Sequence, residues 1–121
     1  MDAPFHFFEA GPTLRTRKAV LNTGWAQKWG EPGYFTEHPR LSGEVAEFLI
    51  ACGVHLVGVD MPSVDRPPYP AHVALLGSGA VIVENLTNLD AIGSQVFQIF
   101  VVPLKIRGRD GSPVRAIATE V

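Results

Sequence analysis

Two residues in the second half of the chain, His72 and Glu84, are of types that bind metal ions or transfer protons. His72 follows the proline-rich stretch DMPSVDRPPYP, residues 60–70, and Glu84 ends the apolar run AVIV. An ionised carboxylate at the inner end of a buried strand is costly unless an arginine, several backbone donors or a metal ion compensates it. On residue types alone, the pair is compatible with a metal site, with proton transfer and with structural roles. Two structural alternatives stay open: an ion pair of Glu84 with Arg115, and a helix-start histidine that hydrogen-bonds the preceding loop.

Further polar residues open the chain in MDAPFHFFEAGPT. A secretory leader would begin with Lys or Arg and continue with a long apolar run. Here Asp2 comes first, and Pro4, His6 and Glu9 interrupt the apolar residues. We therefore expect this segment not to be a leader.

The first half of the chain predicts strand, helix and strand in turn. KAVLNTGW, residues 18–25, is typical of a strand that ends in a loop. Residues 43–52 have helical spacing of apolar residues, with Ser42 as the N-cap and Gly53 as the stop. Residues 54–59, VHLVGV, have the composition of a strand buried on both faces. Helix followed by buried strand indicates an α/β fold.

The second half continues this pattern and then changes to a hairpin. The prolines of residues 60–70 exclude regular structure, and loops that leave the end of an interior strand commonly line sites in α/β sheets. HVALLGSG predicts about two helical turns, and AVIVE, residues 80–84, predicts a strand. Residues 95–106 predict a long strand, joined by RGRDGSP to another at residues 114–121.

Composition indicates one globular domain over residues 1–121. The chain is 46% hydrophobic and 18% charged, which suits a single sizeable core. A formal net charge of -2 gives no electrostatic footprint for nucleic acid or an anionic membrane. No apolar run approaches the ~20 residues of a spanning helix. The single cysteine, Cys52, lies in the apolar stretch FLIACGV and is expected to be a buried thiol. We expect a soluble, cytoplasmic protein.

DAPFHF, followed by EAGPT, resembles the second half of the H-x-G-T-H-x-D-x-P-x-H metal motif of the cyclase family of metal-dependent hydrolases, which includes bacterial kynurenine formamidases and isatin hydrolases. NTGWAQKW, GVHLVGVDMPSVD, PAHVALL, VIVENLTNLD and PLKIRGRDGSPVRAIA resemble the later signatures of that family, in the same order. The resemblance implies a swivelling β/β/α-type α/β domain, in truncated form with a C-terminal β-hairpin.

The resemblance also implies a site that holds two divalent metal ions, zinc or manganese. In this chain Asp2 matches the bridging aspartate, His72 a histidine ligand and Glu84 the bridging glutamate. His6 matches the histidine that transfers protons. A carboxylate has two oxygens and can span a metal pair, whereas an imidazole gives one nitrogen to one metal.

The implied reaction is hydrolysis of an amide C–N bond in a small molecule. Metal coordination lowers the pKa of bound water to ~7, and the cation polarises the carbonyl. Phe5, Trp25 and Trp29, with Asp60 and Ser63 of the proline-rich loop, are candidates to line a pocket for an aryl or cyclic amide. For the aromatic residues, packing in the core is the alternative.

The chain departs from the family pattern in two places. It contains no H-x-G-T-H, and GPTLRTRKAVLNTGW passes directly from the motif to the TGW signature. We therefore expect a truncated and internally shortened relative that is catalytically impaired or inactive, a pseudoenzyme. The alternative is a functional hydrolase with residual or intersubunit ligands. His38 and His55 are weak substitutes for the missing histidines, and His55 is expected to pack in the core.

A shortened domain would expose strand edges and apolar faces that relatives cover, and such edges invite pairing with another chain. We expect a homodimer or a higher oligomer. The strand predicted at residues 95–106, interrupted by Pro103, is a candidate edge or interface.

Overall fold

The computed structural model describes residues 18–120, and they fall into two compact units. One unit extends to Leu89 and the other begins at Asp90. The expectation of a single domain over residues 1–121 stays a prediction. Among residues 18–120, no helix has the length and apolar character needed to cross a bilayer.

The first unit is built on a parallel sheet of three strands, in the order β1, β2, β3. These are β1 (Lys18–Leu21), β2 (Leu56–Val59) and β3 (Val81–Val83). Helix α1 (Gly43–Ala51) connects β1 to β2, and helix α2 (Pro70–Gly77) connects β2 to β3. The predicted alternation of helices and strands is confirmed, and its two successive βαβ units bring the carboxyl ends of the strands to one edge.

All four residues of β2 are buried, as the sequence predicts for a central strand. Val57 and Val59 lie on the face that packs against the helices, in one cluster with Ala46 of α1 and Leu75 of α2. On the opposite face Gly58 lies under another side chain. A Cβ at this position would come within 2.8 Å of Leu86 Cδ1 and 3.4 Å of Val20 Cγ2, so the close packing requires glycine. Burial on both faces holds β2, and therefore the loop after it, in a fixed place.

Helix α1 begins after the predicted N-cap residue and ends before the predicted stop glycine. The Ser42 hydroxyl accepts a 3.2 Å hydrogen bond from the Val45 backbone N–H, which confirms the predicted N-cap. Gly53 follows the helix with a φ of 82°, a conformation that glycine adopts without strain.

Two predictions of burial are wrong. Cys52 is exposed because it lies at the C-cap of α1, beyond the last buried turn of the helix. His55 is also exposed, although its neighbours Val54 and Leu56 are buried. Side chains alternate between faces as the chain becomes extended, so an apolar flank on each side does not bury the residue between them.

The second unit contains an antiparallel hairpin of β4 (Phe97–Pro103) and β5 (Val114–Glu120), as predicted. Phe100 pairs with Ile117, and Val102 pairs with Arg115. The large apolar side chains of Phe100, Val102 and Ile117 are exposed. The Gly93 N–H donates a 2.7 Å hydrogen bond to Glu120 Oε1 near the end of the hairpin.

Candidate active site

Polar residues follow each strand of the parallel sheet at the edge where the strands end. Thr23 comes after β1, Asp60 directly after β2 and Glu84 directly after β3. The segments beyond β2 and β3 stay joined, since the Asn85 N–H donates a 3.0 Å hydrogen bond to the Met61 carbonyl. Ligand sites in open α/β sheets lie at this edge. The fold therefore positions the candidate residues where the sequence predicts a site.

The first turn of α2 is capped from a distance by Asp65. The helix begins at Pro70, and the residue at its N-cap, Tyr69, makes no side-chain capping bond. Instead, Asp65 Oδ2 accepts hydrogen bonds from the backbone N–H groups of Ala71 at 2.7 Å and His72 at 3.3 Å. Asp65 is only 1% exposed, so its charge is stabilised by these donors and by the helix dipole.

His72 is held by the other oxygen of the same carboxylate, because its Nδ1 pairs with Asp65 Oδ1. An ionised carboxylate can only accept, so this network assigns the ring proton to Nδ1. In the neutral ring the second nitrogen, Nε2, then carries the lone pair. The alternative of a helix-start histidine hydrogen-bonded to the preceding loop is thus observed, and it leaves Nε2 able to bind a metal ion.

Glu84 lies close enough to His72 for the two side chains to interact electrostatically. Glu84 is exposed, and so is Val81 at the start of β3, so the expectation of a carboxylate at the end of a buried strand is wrong. Desolvation by the surrounding protein raises the pKa of the Glu84 carboxyl, and the charge that His72 carries when protonated opposes that rise. His72, in the first turn of α2, and Glu84, directly after β3, thus interact electrostatically, and their membership of one metal site stays a prediction. Their donor set, one imidazole nitrogen and one carboxylate, suits zinc or manganese.

The other residues predicted for the metal centre come from the first part of the chain. Asp2, Phe5 and His6 lie outside the described residues. Within residues 18–120, no group of three or more His, Cys, Asp or Glu side chains is placed to hold a metal ion. His38 is buried, and its Nδ1–H donates a 2.7 Å hydrogen bond to the Pro39 carbonyl. His72 and Glu84 are the part of the predicted ligand set that the structure describes.

Asp60 is 1% exposed and fixes the turn after β1. Its carboxylate accepts hydrogen bonds from the Thr23 backbone N–H at 3.0 Å, the Thr23 hydroxyl at 2.6 Å and the Gly24 N–H at 2.8 Å. These donors compensate the buried charge. Asp60 thus joins the ends of β1 and β2, and its contact with a substrate stays a prediction.

The two tryptophans predicted for the pocket surround Tyr34. The Trp25 ring stacks on Tyr34 at 6.3 Å between centroids, and its Nε1–H donates a 3.0 Å hydrogen bond to the Tyr34 carbonyl. Trp29 meets the Tyr34 ring edge-on at 5.1 Å and is 66% exposed. Trp25 is therefore part of the packing. The exposed ring of Trp29 leaves its predicted pocket role open.

Ser63 supports the loop that carries Asp65. Its hydroxyl donates a 2.7 Å hydrogen bond to the Asp65 carbonyl and accepts one of 3.3 Å from the Asp65 N–H. A role for Ser63 in binding substrate stays a prediction.

Sequence reasoning missed two residues that organise this edge, Asp65 and Tyr34. A signal for Asp65 exists, because a helix that starts at Pro70 without Ser, Thr, Asp or Asn before it must satisfy its first N–H groups from elsewhere. Tyr34 lies in an irregular stretch and has no local signal. It is buried, its hydroxyl donates a 2.7 Å hydrogen bond to Asn85 Oδ1, and burial together with the charge of Asp60 raises its pKa.

Comparisons with known proteins identify the relatives of this chain. Residues 10–66 match the Cyclase family model, described as "Putative cyclase". The chain is 39% identical over 82 residues to a kynurenine formamidase of Bacillus cereus and 43% identical over 82 residues to one of Bacillus cytotoxicus. Each match covers 65% of this chain and 39% of the relative, so the chain spans about two fifths of the length of these enzymes.

Solved structures show the same architecture. An isatin hydrolase bound to the product analogue thioisatinate superposes with a TM-score of 0.75 and 26% identity, over 84% of this chain and 44% of the hydrolase. A potential metal-dependent hydrolase with cyclase activity gives a TM-score of 0.69 at 24% identity, over 80% of this chain and 47% of that protein, and supports the fold. This chain is therefore related in sequence and in fold to the cyclase family of metal-dependent hydrolases, as its motifs predict.

Proposed function

We propose that this chain carries the His72 and Glu84 part of a divalent metal centre for hydrolysis of amide C–N bonds, and that hydrolysis is impaired in the chain alone. The observation that supports the proposal most is the contact of Asp65 with Nδ1 of His72, which leaves Nε2 of the neutral ring available to a metal ion. The metal-dependent hydrolase among its structural neighbours is consistent with it.

The chain's own residues would bind the metal and orient one another. His72 Nε2 and the Glu84 carboxylate would hold zinc or manganese, and Asp2 is the third candidate from this chain. When bound, such a cation supplies hydroxide near neutral pH and polarises a substrate carbonyl. His6 is the candidate to accept a proton from the nucleophile and to return it to the leaving amine.

Impairment follows from the number of ligands. The resemblance implies five, and the 121 residues supply three of them by the same alignment of motifs. Each missing imidazole leaves a coordination position to water and lowers metal affinity.

The second candidate is a competent hydrolase, in which a partner subunit supplies the missing ligands. The Asp65–His72 contact favours it, because a histidine ligand commonly has such a carboxylate partner.

The test is hydrolysis of N-formylkynurenine with added zinc or manganese, comparing the wild type, Glu84→Gln and Glu47→Gln. Glu47 is an exposed residue of α1 and controls for the change in charge. The proposal expects weak hydrolysis that needs metal, is lost in Glu84→Gln and is kept in Glu47→Gln. Turnover that does not respond to metal or to Glu84→Gln would contradict the proposed centre. Turnover in the ordinary range of enzymes, roughly 1–10³ per second, would contradict impairment and support the second candidate.

We also propose that the chain is cytoplasmic and forms a homodimer or a higher oligomer. The exposed apolar side chains of Phe100, Val102 and Ile117 on the β4–β5 hairpin support self-association. Light scattering should give at least twice the 13.1 kDa chain mass, and a monomer would contradict the proposal.

A further inference from the structure

We propose that Asp65 is a positioning residue for the candidate metal centre: it fixes the ring proton of His72 on Nδ1 and so keeps Nε2 free for a metal ion. This inference rests on the proposed function for the role of His72. The contact that carries it is the pairing of Asp65 Oδ1 with His72 Nδ1, made by a carboxylate that is 1% exposed.

The second oxygen of Asp65 explains why the carboxylate cannot turn away from the ring. Oδ2 accepts the backbone N–H groups of Ala71 and His72 at 2.7 and 3.3 Å. Those are two of the first N–H groups of α2, which have no acceptor within the helix. One carboxylate therefore caps the helix and orients a side chain on its first turn.

The loop holds Asp65 in turn. The Ser63 hydroxyl bridges the Asp65 carbonyl at 2.7 Å and the Asp65 N–H at 3.3 Å, which fixes the backbone before the helix begins. The ring of Tyr69 meets His72 edge-on at 5.5 Å between centroids. His72 is thus constrained by its own backbone, by Asp65 and by a neighbouring ring, and only 24% of its side chain is exposed.

The inference predicts where the ring proton of His72 lies when Asp65 is replaced by asparagine. Asparagine has one accepting oxygen and one donating NH2 group. The two backbone N–H groups of α2 will hold the oxygen, because an NH2 group facing them would leave them without an acceptor. The NH2 group then faces Nδ1 of His72, which must accept. The ring proton moves to Nε2, where it blocks metal coordination.

The experiment measures the histidine tautomer by nitrogen-15 NMR on the metal-free protein, at a pH where the rings are neutral, and zinc affinity by calorimetry. His72→Gln identifies the His72 signals. The wild type should carry the proton on Nδ1, and Asp65→Asn should carry it on Nε2 and bind zinc about 10- to 100-fold more weakly. Ser42→Ala, which removes the cap of α1 and leaves Asp65 intact, should keep the wild-type tautomer and bind zinc as the wild type does.

The two readouts separate this inference from the proposed function. A proton on Nε2 in the wild type would overturn the inference without any variant, even if Asp65→Asn fails to fold. A proton that stays on Nδ1 in folded Asp65→Asn would overturn it as well. If the wild type binds no zinc but the tautomer changes as expected, the proposed function fails while the role of Asp65 in fixing the ring stands.

Discussion

The Tyr34 hydroxyl donates a 2.7 Å hydrogen bond to Asn85 Oδ1 and so joins the irregular segment after β1 to the segment after β3. The two residues are 51 positions apart. Asn85 adjoins Glu84, and its backbone N–H is bonded to the Met61 carbonyl. This contact therefore links the aromatic cluster around Tyr34 to the edge of the sheet where the candidate ligand Glu84 lies.

Tyr34→Phe should lower the free energy of unfolding by about 0.5–1.5 kcal/mol, because it removes the hydrogen bond while the exposed Asn85 Oδ1 can accept from water instead. Urea unfolding followed by far-UV circular dichroism measures the change. Phe35→Leu is the control, since the exposed ring of Phe35 meets Tyr34 only edge-on. Equal stability of Tyr34→Phe and the wild type would contradict the importance of the hydrogen bond.

Stability should fall at alkaline pH through Tyr34. Burial and the charge of Asp60 raise its pKa above 10.0, so the folded state holds the phenolic proton more tightly than the unfolded chain. The contribution is fully present below pH 10.0 and is lost as the pH rises through the folded pKa. Unfolding free energies measured across this range should fall more steeply for the wild type than for Tyr34→Phe. If the unfolding free energies of the wild type and Tyr34→Phe fall equally with pH, the raised pKa of Tyr34 is not the cause.

Asp60→Asn should lower the free energy of unfolding by about 2–3 kcal/mol, since its carboxylate accepts three donors of Thr23 and Gly24 in a buried place. Thr23→Val removes only the hydroxyl and should lower it by about 1 kcal/mol. Thermal unfolding of both variants checks the order. A larger loss of unfolding free energy in Thr23→Val than in Asp60→Asn would contradict the role given to the Asp60 carboxylate.

The signals that predicted the first unit are local. Ser42 lies directly before its helix, and the apolar run that contains Val57 and Val59 is long enough to mark a buried strand. Capping and burial of this kind depend on neighbours in sequence, so α1 and β2 were predictable.

The organisation of the site depends on contacts between loops. Asp65 caps α2 from outside the N-cap position, and Tyr34 reaches Asn85 across most of the unit. No periodicity encodes such contacts, because the path of an irregular segment decides them. The assignment of His72 and Glu84 to one metal site comes from the resemblance and stays a prediction, because the residue types alone do not give the spacing.

Glu84→Gln should stabilise the metal-free chain at neutral pH. Desolvation raises the pKa of this carboxyl above 4.5 in the folded state. The protonated form therefore contributes stability that is present below pH 4.5 and is lost as the pH rises through the folded pKa. Glutamine stays neutral, and its melting temperature at neutral pH should exceed that of the wild type, with no difference below pH 4.5. A lower melting temperature at neutral pH would contradict this sign.

The central claim is that His72 and Glu84 belong to one metal centre, and zinc affinity measured by calorimetry tests it most directly. His72→Gln and Glu84→Gln should each weaken binding at least about tenfold, and the double variant should add little, because both residues hold the same ion. Glu47→Gln should bind as the wild type does. If both single variants bind zinc as tightly as the wild type, a shared centre is contradicted. It is also contradicted if the losses of binding free energy in the two single variants add fully in the double variant.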